Sequence, residues 1–218
     1  MNIIFDYLVI IAAEILIIPT GEMVTKRFGK GEVARKWGHI LSGTILWLLS
    51  YLLFDNTIHT VIIAALFAVI STILCYTGKI ESDKREDKNL NNLKSTPLQG
   101  IGHVIFASLA YSNINYMAAY GVAVFTLCFG DAFAALIGSK FGKYSIKLPH
   151  NKSLIGFISF IMAAAFAITI PLSLMNVHLA VWKILLIVFS SAVVEIYSGD
   201  WDNLLIQLMA GFMTIILL

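Results

Sequence analysis

Apolar residues run through this chain in long uninterrupted blocks, without the three- and four-residue spacing that marks the single buried face of a soluble helix. Blocks near 2–20, 38–54, 57–77, 98–112, 116–139, 154–174, 179–198 and 203–218 carry few charges. A hydrocarbon layer about 30 Å thick takes roughly 17–25 helical residues to cross. The pattern predicts eight spanning helices, or seven if the short fourth or last block is only half-inserted. The expected fold is all-α, a polytopic transmembrane helical bundle forming one membrane-embedded domain over residues 1–218. Charged residues make up 13% of the chain, about half the share of a soluble domain (about 25%), which agrees with lipid as the main solvent. No Lys or Arg precedes the first block and no small-residue cleavage site follows it, so that block is expected to remain as a spanning helix. Cys75 and Cys128 lie in apolar blocks and form no C-x-x-C, which reads as two buried thiols.

The connections between the blocks are of two kinds. Segment 21–37 holds Lys26, Arg27, Lys30, Arg35 and Lys36; segment 78–97 mixes five cations with four acids; segment 140–153 holds Lys140, Lys143, Lys147 and Lys152. The alternate connections, near 55–56, 113–115 and 175–178, have no Lys or Arg, so fourteen of the fifteen cations gather on one side. The positive-inside rule makes that side cytoplasmic and places both termini outside. Segment 78–97, with its mixed charge and many Asn, reads as a solvated connector, with a lid over a site as the lesser alternative. The net charge of +2 gives no reason to expect a nucleic-acid partner.

Ionisable groups inside a bilayer are expensive and call for a partner or a purpose. Glu14, Asp131 and Glu195 come late in the first, fifth and seventh blocks, while His39 and His103 open the second and fourth. With eight spans all five fall toward the cytoplasmic helix ends, which predicts a polar cavity on that face. Pro19, Pro97, Pro149 and Pro171 fall at or near expected helix ends rather than at mid-membrane, unlike the broken helices of a transporter.

Three clusters carry chemistry. From Gly130 to Ser153, the residues Gly130, Ala134, Gly138 and Gly142 recur every four positions, a small-residue stripe that lets another helix come close. Asp131 beside its start would be buried by that packing. Asn151, Lys152 and Ser153 then stand before the next block, where Asn or Ser can cap a helix and free amides can bind phosphate. A carboxylate for Mg²⁺ and lysines for phosphate oxygens are what phosphoryl transfer requires. In the second cluster Arg35, Lys36 and His39 share one helical face, suited to a phosphate or to anionic lipid headgroups. The third holds Glu195, Ser198, Gly199, Asp200, Trp201, Asp202 and Asn203, an acidic pole offering oxygen ligands to Mg²⁺ or a capped polar turn.

In this order the clusters resemble the CTP-dependent lipid kinase family, which includes dolichol kinase, phytol kinase and yeast-type diacylglycerol kinase and is related to the phosphatidate cytidylyltransferases. The resemblance rests on R-K-x-x-H at Arg35, Lys36 and His39, and on G-D-x-x-A-x-x-x-G-x-x-x-G-K from Gly130 to Lys143. It also rests on K-S-x-x-G at Lys152, Ser153 and Gly156 and on the late D-N at Asp202 and Asn203. It implies transfer of the γ-phosphoryl group of CTP, with Mg²⁺, to the hydroxyl of a membrane lipid alcohol (polyprenol, phytol-like or diacylglycerol). It further implies Asp131 as metal ligand or general base, Lys152 and Ser153 at the phosphates, and Arg35, Lys36 and Lys143 sharing the nucleotide's charge. Asp202 and Asn203 then become metal ligands, with His39 and Glu195 as catalytic neighbours. Many relatives carry Glu in K-S-x-E-G, where this chain has Ile155. The rival reading is a cytidylyltransferase that makes a CDP-lipid and releases pyrophosphate.

Overall fold

The computed structural model describes residues 3–28, 32–77 and 95–218, and it is all-helical there apart from turns and one isolated bridge. Every apolar block becomes a helical stretch. They are α1 (Ile3–Phe28), α2 (Glu32–Leu53), α3 (Thr57–Tyr76) and α4 (Ser95–Ser112). There follow α5 (Tyr116–Phe125), which runs through a π-helical turn (Thr126–Asp131) into α6 (Ala132–Phe141), then α7 (Leu154–Ala167) with α8 (Thr169–Leu174), α9 (Val181–Tyr197) and α10 (Asp202–Leu217). Among the described residues four stretches are long and apolar enough to cross a membrane: Ile3–Arg27, Thr57–Leu74, Tyr116–Tyr144 and Leu154–Leu174. Outward-facing Leu16, Val69, Met162, Phe166 and Ile216 suit a hydrocarbon solvent.

Two expectations need correction. Segment 21–37 is mostly helix, because Glu22, Lys26 and Arg27 are good helix formers and the last two sit in the final turn of α1, where cations complement the helix dipole. Pro19 therefore lies inside α1 and not at its end. Most of the mixed-charge segment, residues 78–94, lies outside the described residues, as do Lys30 and the side chain of Cys75. Cys128 is a buried free thiol, as expected.

The chain forms two compact units, 1–117 and 118–218. In the first, Ile10, Leu46, Phe54 and Ile63 form a core that joins α1, α2 and α3. Trp37 Nε1 donates to Thr20 Oγ1 at 3.1 Å and ties the start of α2 to α1. Helices α3 and α4 approach closely because Gly100 has no side chain: a Cβ there would stand 2.8 Å from Ala68 Cα. Gly100→Ala should thus lower stability by about 1–3 kcal/mol through overpacking. Gly38→Ala, with nothing within 4 Å of the added methyl, should raise it by about 1 kcal/mol through helix propensity. Thermal unfolding of the two variants in detergent checks the opposite signs; a Gly100→Ala protein melting with wild type would contradict the close contact.

In the second unit the small-residue stripe is a packing seam, as its spacing predicts. Gly156 on α7 leaves no room for a Cβ, which would lie 3.0 Å from Ala134 O and 3.6 Å from Gly138 Cα. A Cβ added at Gly142 would stand 3.0–3.1 Å from the Ser153 side chain, and one on Gly130 would meet the Phe160 ring at 2.8–2.9 Å. Ser153, Gly156 and Phe160 are spaced along one face of α7, so the whole stripe meets that face. The π-helical turn delivers the chain into this seam with Asp131 buried at 3% exposure.

Candidate functional site

Residues 145–153 fold back on themselves to present Lys152. Lys147 and Ser153 form a short antiparallel bridge, and Leu148 N–H donates to Lys152 O at 3.0 Å. His150 and Asn151 take left-handed conformations (φ 53° and 60°) that reverse the chain. The His150 ring stands 3.9 Å from where a Cβ on Gly199 would be, and Gly199 is itself left-handed (φ 55°). A side chain at Gly199 would strain the turn that leads into Asp202.

This fold brings four predicted residues together. The Lys152 ammonium donates to Glu195 Oε1, on the last turns of α9, and lies 3.9 Å from Asp202 Oδ2, at the start of α10. The Asp131 carboxylate acts electrostatically on both Lys152 and Glu195. Glu195 is 3% exposed and Lys152 27%. Burial alone would lower the lysine's pKa, but Glu195 above all, with Asp131 and Asp202, outweighs it and holds the value above the ordinary lysine range. The ammonium is therefore charged at neutral pH, amid three carboxylates.

The remaining predicted residues of this unit take other places. Ser153 is the N-cap of α7, its hydroxyl accepting from Gly156 N–H at 3.2 Å. The amides of α7's first turn are not open to a phosphate: Leu154 N–H bonds Ile146 O at 2.9 Å and Ile155 N–H bonds Ser145 Oγ at 3.0 Å. That corrects the expectation of an anion cradle there; the folded-back segment satisfies those donors first. Lys143 is exposed, its ammonium 4.7 Å from the Tyr144 ring centre. Asn203 is buried in α10's first turn, its carbonyl accepting from Gln207 Nε2 at 2.8 Å and its N–H donating to Asp202 Oδ1 at 2.8 Å.

Arg35, Lys36 and His39 lie in the first turns of α2, in the other unit, all buried. Arg35 and His39 line a cavity of about 240 Å³ between α1, α2, α3 and the start of α4. Glu14, Thr96 and Gln99 also line it, as do the apolar Ile10, Leu46 and Ile63. His103 is fully buried, its ring edge-on to Phe67 with centroids 5.3 Å apart.

Among the described residues no three His, Cys, Asp or Glu side chains stand close enough to hold a metal unaided. Mg²⁺ commonly takes one or two carboxylates and completes its shell with water and substrate phosphates. Asp131 and Asp202, in a cluster where carboxylates outnumber the lysine, fit that requirement.

The chain is 28% identical over 152 residues to a probable phytol kinase 1, chloroplastic, of Glycine max. The match covers 65% of this chain and spans about half (48%) of that relative's length. No protein-family model matches the chain, and no solved structure does.

Proposed function

We propose that this chain is a CTP-dependent lipid-alcohol kinase whose centre is the Lys152–Glu195–Asp131–Asp202 cluster. The observation that carries the reading is a charged lysine before α7 held by buried Glu195 on α9, with buried Asp131 and half-buried Asp202 acting on it. A protein meant only to pack helices gains little from so costly an arrangement. Similarity to a phytol kinase supplies the reaction class, and the positive-inside pattern supplies the cytoplasmic face.

In the reaction the lipid hydroxyl oxygen bonds to the γ-phosphorus of CTP, the bond from that phosphorus to the β-bridging oxygen breaks, and CDP departs. Lys152 places its ammonium against the transferring phosphoryl oxygens, where charge shifts in the transition state. Glu195 holds the lysine's position through their ion pair. Asp131 accepts the hydroxyl proton, and a site at helix ends lets a lipid headgroup and a cytosolic nucleotide meet without carrying a triphosphate into hydrocarbon. Mg²⁺, held by Asp202 and Asn203 with a share from Asp131, would neutralise the β- and γ-phosphates. Ile155, half-buried, offers no carboxylate where many family members have one; Glu195 provides an acid at Lys152 from another helix.

With purified protein, CTP and a panel of long-chain alcohols, CDP should appear only when both Mg²⁺ and an alcohol are present, and chelation should stop it. CDP that forms without alcohol, or pyrophosphate in its place, would defeat the proposal.

A further inference from the structure

The cavity of the first unit has a polar wall that the proposed chemistry does not use. Glu14 Oε1 is shut off from water and has no hydrogen-bond partner among the described residues. A buried carboxyl oxygen left in that state is costly, and it lines a cavity of about 240 Å³, larger than an apolar cavity of about 150 Å³ that accepts benzene. The cavity's body is aliphatic. Its lining residues Ile15, Leu66 and Ile70 are 58%, 41% and 48% exposed, so the cavity reaches the outer surface of α1 and α3, two helices long and apolar enough to cross a membrane. An occupant can enter from the bilayer.

The chemistry of the walls selects among bilayer molecules. Lipid tails are as apolar as the Ile and Leu side chains here, so burying a chain in this cavity gains no hydrophobic free energy over leaving it in the membrane. Selection must come from the polar wall. That wall carries the Arg35 guanidinium, which already has an interaction of its own, and the Glu14 carboxyl, beside His39, Thr96 and Gln99. A fully ionised headgroup offers only acceptors, whereas the unpartnered Glu14 oxygen needs a donor. A hydroxyl supplies one.

We infer that this cavity is a binding site for a single bilayer alcohol, its chain along the aliphatic body and its hydroxyl donating to Glu14. The inference concerns binding alone and does not rest on the kinase reading.

The test is photo-crosslinking of the full chain in nanodiscs, without nucleotide, by a long-chain alcohol carrying a mid-chain diazirine. Label should fall within residues 10–18 and 63–70. Unlabelled alcohol should compete, whereas the alkane of equal length and the corresponding alkyl phosphate should not. Glu14→Leu should weaken competed labelling about tenfold, as for a lost buried hydrogen bond, and Glu14→Gln, which keeps an acceptor oxygen, should retain most of it. Ile63→Trp fills the body without touching the polar wall and should also exclude the probe. Labelling confined to the second unit, or unchanged in both Glu14→Leu and Ile63→Trp, would overturn the inference; equal competition by the alkyl phosphate would overturn the uncharged headgroup. Competed labelling of wild type without any phosphorylation of the alcohol would support the cavity and refute the kinase reading alone.

Discussion

Lys152→Met should cut turnover by about a hundredfold or more, the loss expected when a charge that meets the transition state is removed. The structure adds a second expectation. Glu195 is 3% exposed and accepts from this lysine, so taking the ammonium away strands a buried carboxylate beside Asp131 and Asp202. Breaking one half of such a buried pair costs about 3–5 kcal/mol, and Lys152→Met should melt well below wild type. Adding Glu195→Gln removes the stranded charge. The double variant should recover much of the stability and none of the turnover. Recovery of both would mean that Lys152 acts only to neutralise Glu195; near-normal turnover in a well-folded Lys152→Met protein would remove this cluster from the chemistry. Thermal unfolding and steady-state rates on the same preparations separate these results.

Asp131→Asn should behave oppositely in stability. Asp131 is buried at the end of the π-helical turn and repels the neighbouring charge of Glu195. Asparagine keeps the shape and removes that repulsion, so the variant should be as stable as wild type or more so. Its turnover should still fall about a hundredfold or more, because in the proposed reaction the hydroxyl would lose its proton acceptor and the phosphates part of their metal site. A stable Asp131→Asn enzyme with near-normal turnover would contradict the role assigned to this carboxylate.

The helices were legible from composition along the chain: each apolar block corresponds to a helical stretch, and the four-residue recurrence from Gly130 to Gly142 foretold the α6–α7 seam. Helix ends were less legible. Polarity at Glu22, Lys26 and Arg27 reads as a loop once the apolar block stops, yet these residues continue a helix readily outside hydrocarbon. The π-helical turn before Asp131 left no mark in the sequence, because Thr126–Asp131 has the same apolar and small residues as an ordinary span.

The site was legible as a set of residue types and illegible as a set of partners. Asn-Lys-Ser announced a cap, and Ser153 is one. The bond from Lys152 to Glu195 joins residues 43 apart on different elements, a pairing that only the fold decides. The occupied amides of α7 were hidden for the same reason, since they depend on left-handed His150 and Asn151 turning the chain back. Glu14 stood out as an expensive residue, but its cavity with Arg35 and His39 needs α1, α2, α3 and α4 together.

The most direct test follows the phosphorus. Purified protein in Mg²⁺ is given a long-chain alcohol with CTP labelled in parallel at the γ- or the α-phosphorus, and the extracted lipid is counted. Label from the γ position should enter the lipid as a monophosphate, one for each CDP released, and label from the α position should never enter it. Lipid labelled from the α position, with pyrophosphate released, would contradict phosphoryl transfer and identify a nucleotidyl transfer in its place.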